Sequence, residues 1–175
     1  DLNLALGKPT SSSGYENVGT KPENATDGLL DTRWSSRFMD GEWLTIDLQN
    51  TYAVNRVKLY WEAAYATHFD IQLSTDGVEY TTAYTATDAE GGTQDIILPN
   101  GPTEARYVRI FCHQRNTGYG SSLYEVEVYG IRRPTAIENT YSEDNQLPHL
   151  ILRNGQIYIM HKAKIYHISG QLLQE

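Results

Sequence analysis

Five stretches of the chain alternate strictly between apolar and polar residues. In Glu42–Leu48, Leu44, Ile46 and Leu48 fall on one side, and Trp43, Thr45 and Asp47 on the other. Val57, Leu59 and Trp61 oppose Arg56, Lys58 and Tyr60. Phe69, Ile71 and Leu73 alternate with Asp70 and Gln72. Val108, Ile110 and Cys112 alternate with Tyr107, Arg109 and Phe111, and Val126 and Val128 with Glu125, Glu127 and Tyr129. A period of two sends successive side chains to opposite faces, so each stretch predicts a strand buried on one face. Turn residues punctuate them at Ser74–Gly77, Glu90–Gly92 and Pro99–Pro102. No amphipathic helical stripe of about ten or more residues is present. The pattern predicts an all-β protein, an antiparallel β-sandwich over residues 1–130.

After Gly130 the alternation stops. Residues 131–148 are polar, carry two prolines and predict a linker. Alternation resumes in residues 149–175, where Asn154-Gly155 is a hairpin signal between two apolar runs and a second turn leads into Lys164–Gly170. A small three-stranded β-meander is expected, too short to bury a core alone.

Charge narrows the function. Fourteen basic against 22 acidic residues give a net charge of −8. Nucleic acid and anionic membranes favour basic surfaces and are disfavoured as partners. No apolar run is long enough to insert as a membrane-spanning helix. A single cysteine, Cys112, allows no internal disulfide and falls on the apolar side of its strand. The chain starts at Asp1 without methionine, as expected of a processed product or a piece of a longer protein. Thirteen tyrosines and three tryptophans suit both strands and the recognition of polar, ring-shaped ligands.

Several ordered motifs carry a family resemblance: Asn3–Ser13 (NLALGKPTSSS), Asn24–Ser36 (NATDGLLDTRWSS), Glu42–Leu48, Val57–Gly77, Arg106–Phe111 and Ser122–Gly130. Together they resemble a discoidin, or coagulation-factor type C, domain, and within that group the bacterial family 32 carbohydrate-binding modules. Residues 61–74 and 118–130 are most similar to modules attached to enzymes that cut β-glucans or chitosan. The resemblance implies a jelly-roll sandwich of about eight strands, a structural calcium ion, and a sugar site on loops at one end. The tail from about Leu150 is similar to C-terminal segments of secreted Bacteroidetes proteins, some of which are type IX secretion signals.

Calcium takes about six to eight hard oxygen ligands. The resemblance assigns them to the carbonyls of Asn24 and Leu29, the Asp27 carboxylate, the carbonyl and hydroxyl of Thr32, the Tyr124 carbonyl and the Glu125 carboxylate. Trp34 is expected in the core beneath the ion. Read without the resemblance, the same stretch is an Asp-Gly turn with solvated acids. Sugars are held by an aromatic face plus a few charged or amide groups. Loop residues of those kinds are Tyr15, Glu16, Arg37, Phe38, Glu62, Tyr65, His68, Arg115, Asn116 and Tyr119. Glu62, Tyr119, Glu16 and Arg37 rank highest, in that order, and Glu16 and Glu62 match acidic positions that face an amino group in chitosan-binding relatives. The five histidines lack metal-ligand spacing and are expected to be solvent-exposed.

No nucleophile elbow, phosphate loop or dinucleotide fingerprint is present. The expected function is that of a non-catalytic carbohydrate-binding module of a larger secreted or cell-surface bacterial glycoside hydrolase. It would deliver a catalytic domain of the same parent chain to a polysaccharide or oligosaccharide of β-glucan or chitosan type. The alternative is an adhesion or protein-binding domain of the same fold.

Overall fold

The computed structural model describes residues 2–132, 149–153, 156–161, 164–167 and 172–174. The chain divides into two compact units, residues 1–133 and 134–175.

In the first unit the strands are β1 (Thr10–Ser12), β2 (Trp34–Ser35), β3 (Glu42–Trp61), β4 (Ala66–Ser74), β5 (Thr81–Ala86), β6 (Thr93–Ile97), β7 (Thr103–Arg115) and β8 (Ser122–Arg132). Every ladder is antiparallel. The helical content among the described residues is one 3-10 turn, Pro22–Ala25. Two of the predicted strands, Glu42–Leu48 and the one around Val57, are one 20-residue strand. The chain turns inside it at Gln49, a non-glycine residue at φ 67°. Its amide donates to Asp47 Oδ1 at 2.7 Å. The ladder to β7 skips from Asp47 to Tyr52 and then resumes, so the break is a bulge and not a strand end.

This bend builds the sandwich. The first half of β3 pairs with β1 and β7, and β7 continues through β4 to β5. The second half pairs with β6 and β8, and β8 carries β2. The two layers face each other across one core. Leu44, Ile46, Phe69, Ile71, Val108 and Ile110 come from one layer, and Val57, Leu59, Val126 and Val128 from the other. These are the apolar faces that the alternation marked. Each such side chain, withdrawn from water, contributes about 1.5–3 kcal/mol. Trp34 is fully buried, and its indole N–H donates to the Gly14 carbonyl at 3.1 Å. Cys112 is buried too, and burial pushes its thiol up to about 12, so it is an inert core residue.

The second unit is an antiparallel sheet in the order β12-β11-β10-β9. Its strands are β9 (His149–Arg153), β10 (Gln156–His161), β11 (Lys164–His167) and β12 (Leu172–Gln174). The expected meander therefore gains a fourth strand, because Leu172–Gln174 returns along β11. The Asn154-Gly155 turn and most of the 131–148 stretch lie outside the described residues. Among the described residues, no helix is long and apolar enough to cross a membrane.

Candidate functional site

Three loops meet beside β2 and β8. The loop after β1 is docked by Trp34 on Gly14 and by the Glu16 amide on the Ser35 carbonyl, 2.9 Å. The loops 62–65 and 116–121 are clasped by Asn116. Its Oδ1 accepts from the Tyr65 amide at 2.9 Å, its Nδ2 donates to the Ala63 carbonyl at 3.0 Å, and its own amide donates to the Tyr65 carbonyl at 3.0 Å. Asn116 thus positions the loops.

Between these loops lies a cleft of about 370 Å³. Glu16, Glu62 and Tyr119 line it together with Arg33, Ser35 and Thr117. The Glu62 carboxylate accepts from the Ala64 amide at 2.8 Å through Oε2, which fixes its direction. The Tyr119 ring is 66% exposed and meets Phe38 edge to face, 5.6 Å between centroids at 89°. Tyr119 gives the cleft an aromatic face, and Phe38, itself outside the lining, packs against it.

The other sequence candidates sit elsewhere. Arg37 is tied to the buried Glu42, with Nη2 to Oε1 at 2.7 Å and Nε to Oε2 at 3.1 Å. The Tyr65 ring lies over the Gly91 backbone and against the core. Arg115 donates to Asp40 Oδ1 at 3.0 Å and to the carbonyls of Gly118 and Tyr119 at 3.2 and 3.1 Å, so it props up the loop that presents Tyr119. Backbone and side-chain hydrogen bonds from Arg115 hold the Asp40 carboxyl below its usual range. None of these three side chains lines the cleft. Arg33 does and was not foreseen. Its neighbour Trp34 points inward, so alternation alone sends Arg33 outward.

The Asp27 loop faces β8. Asp27 Oδ1 accepts from the Leu29 amide at 2.9 Å and Oδ2 from the Thr32 hydroxyl at 2.7 Å. The Gly28 amide donates to both carboxylate oxygens of Glu125 at 3.2 and 3.3 Å, across 97 residues of chain. The Asn24 side chain braces the loop on the carbonyls of Gly19 and Arg33, 2.9 and 3.1 Å. Tyr124 is skipped by the ladder, since Tyr60 pairs with Glu125 and Trp61 with Leu123. Glu125 is only 3% exposed. Burial pushes its carboxyl up to about 7, with the charges of Asp27 and Glu127 adding to the rise. Among the described residues, no basic side chain pairs with it. A buried carboxylate beside a second carboxylate is costly unless a cation joins them. The donor set therefore fits a hard cation.

A second group that could hold a metal comprises His68, Asp70 and His113, whose ligand atoms all lie within 4.8 Å of one another. Here the histidines depart from expectation. His68 and His113 are half-buried and stacked at 4.4 Å between centroids. Their sequence spacing hides this, because they sit on neighbouring strands. The available signal was the i, i+2 placement of His68 and Asp70, which puts both on one face of β4.

The chain belongs to the F5/8 type C domain family, which matches residues 8–126. It is similar to chitosan-binding module 1 of a chitosanase/glucanase from Paenibacillus sp. IK-5, with 44% identity over 74% of this chain and all of that one and a TM-score of 0.71. Chitosan-binding module 2 of the same enzyme, solved in complex with chitotriose, is 42% identical over 73% of this chain and all of that one, at a TM-score of 0.71. A polysaccharide lyase 8 family protein, HylA of Enterococcus faecalis (strain ATCC 700802 / V583), is 32% identical over 66% of this chain. The match spans 9% of that protein's length.

Proposed function

We propose that residues 2–132 are a non-catalytic carbohydrate-binding module that takes a β-linked glucosamine or glucan chain in the Glu16–Glu62–Tyr119 cleft. The observation that carries this is the convergence of two carboxylates and an exposed aromatic ring in one cleft. The ring stacks on the apolar C–H face of a sugar. The carboxylates take its hydroxyls or, in glucosamine, its ammonium. The similarity to two chitosan-binding modules supports the amino sugar. The module works by raising the local concentration of a catalytic domain carried in the same parent chain, on a polysaccharide outside the bacterial cell.

A single shallow site of this kind binds with about millimolar to micromolar affinity, roughly −4 to −8 kcal/mol. Titration calorimetry with chitotriose and cellotriose tests the reading. Chitotriose should bind more tightly, and Glu62→Gln should weaken it at least about fivefold, roughly 1 kcal/mol, with little effect on cellotriose. Identical binding of both sugars by wild type and variant would remove Glu62 from the site. An adhesion domain of the same fold would bind neither.

Calcium is the ion this reading places between the Asp27 loop and β8. Asn24, Asp27, Leu29, Thr32, Tyr124 and Glu125 would supply its oxygens. The support is the chemistry of the set: oxygen donors throughout, two of them carboxylates, as a hard divalent cation requires. Its role there is to staple the loop to the last strand.

A further inference from the structure

His113 occupies a bulge. His68 pairs with Gln114 and Phe69 with Cys112, so His113 has no ladder partner on β4. Its ring stands on the same outward face as Phe111, against His68 and Asp70. Asp70 is buried, and its carboxylate is oriented from behind by Thr85, which donates to Oδ1 at 2.7 Å, and by Thr82, which donates to Oδ2 at 3.4 Å. His113 Nε2 stands 2.9 Å from Asp70 Oδ2, and the Phe111 ring packs on the His113 ring at 4.7 Å. Two imidazoles and an oriented carboxylate thus converge on the outer face of β4 and β7.

We propose that His68, Asp70 and His113 bind a divalent transition-metal ion of the zinc class, at a site distinct from the oxygen-only Asp27 loop. The argument rests on donor type and geometry. Imidazole nitrogen with one carboxylate suits zinc, copper or nickel, whereas calcium and magnesium take oxygen. Zinc at about 2.0–2.2 Å from each ligand sets neighbouring ligand atoms roughly 3.3 Å apart. The His113–Asp70 pair is already closer than that, so the adjustment falls on His68, whose half-exposed ring stacks on His113. Metal binding replaces the hydrogen bond between His113 and Asp70. The Nε2 proton that bonded the carboxylate leaves to solvent, the Nε2 lone pair it frees turns to the ion, and the neutral ring carries its proton on Nδ1. Thr82 and Thr85 act as the outer partners that hold a ligating carboxylate in place. Three protein ligands leave a coordination position open to solvent, where water completes the shell. The ion would cross-link β4 to β7 at the start of one strand and the end of the other.

The test is a zinc chloride titration by calorimetry on the full chain, with calcium at millimolar excess throughout. One zinc per chain should bind at this site. His68→Ala and His113→Ala should each weaken it at least tenfold, and replacing His149, His161 and His167 together by alanine should leave it unchanged. Both single variants change half-exposed rings, and melting in chelator shows whether each is folded; if one is not, the other decides. Cobalt gives a second readout, visible absorption bands of a nitrogen–oxygen site that vanish in both variants. Three results would overturn the proposal. The single variants could bind zinc as the wild type does, the tail variant could lose the binding, or calcium could displace zinc one for one.

Discussion

At the scale of single residues, the cleft depends on a few side chains and on one missing Cβ. A methyl at Gly120 would fall on the Ser36 carbonyl and hydroxyl, so only glycine lets the 116–121 loop lie against Ser36–Arg37. Gly120→Ala should shift Tyr119 away from the cleft. We expect it to weaken chitotriose binding by about as much as Tyr119→Ala, roughly tenfold or 1.4 kcal/mol. Titration of both variants beside wild type checks this, and full affinity in Gly120→Ala would show that the loop has another way to seat Tyr119. Residue type was enough to nominate Glu16, Glu62 and Tyr119, because acids and aromatics on loops are the groups that take a sugar's polar groups and its C–H face. It also nominated Arg37, Tyr65 and Arg115, which the fold uses on Glu42, Gly91 and Asp40. A loop residue that props and a loop residue that binds have the same chemistry, and only their neighbours tell them apart.

At the scale of elements, the alternating runs became strands because each had one face to bury. Their ends were less legible. The bend at Gln49 joins two predicted strands into β3, and bulges leave Tyr124 and His113 without ladder partners. A bulge leaves no periodic trace, since it is one extra residue in an otherwise regular ladder. β8 runs through Gly130 to Arg132, where it still pairs with Tyr52. A chain ending at Arg132 should therefore keep the sandwich. Its circular dichroism melting curve and its chitotriose affinity should match those of the full chain within error. A molten or insoluble product would mean that residues 133–175 complete the domain.

At the scale of the whole molecule, the Asp27 loop ties the start of the chain to its last sandwich strand, so its occupancy should govern global stability. An ion that binds only the folded state stabilises it by mass action, about 2.7 kcal/mol at a hundred times its Kd. Chelation of calcium-loaded protein should lower Tm by several degrees, and Asp27→Ala should abolish most of that response. Unchanged melting in excess chelator would sink the calcium reading. The pH dependence follows from Glu125. Burial raises its folded pKa to about 7, above the ordinary 4.5. The calcium-free fold therefore binds this proton more tightly than the unfolded chain does. Stability from Glu125 is full below about pH 4.5 and is lost as pH rises to about 7, a change on the order of 3 kcal/mol at most. In chelator, Tm should rise from pH 7.5 to pH 5 by an amount that Glu125→Gln removes. With calcium saturating, the increment the ion adds should shrink over the same acidification, because the ion needs the carboxylate charged.

The sequence by itself determined the layer architecture, the buried face of every long strand and the chemical kinds of group on the loops. Those depend on period, turn chemistry and side-chain type, which are local. Tertiary structure alone decided which groups meet. Glu16 reaches Glu62 and Tyr119 only because Trp34 and Asn116 dock three separate loops. Glu125 becomes a buried acid only when the Asp27 loop closes over β8, and His68 finds His113 only across a strand pair. Each meeting joins residues distant in sequence, and its geometry is set by register, bulge and burial, which no local pattern records.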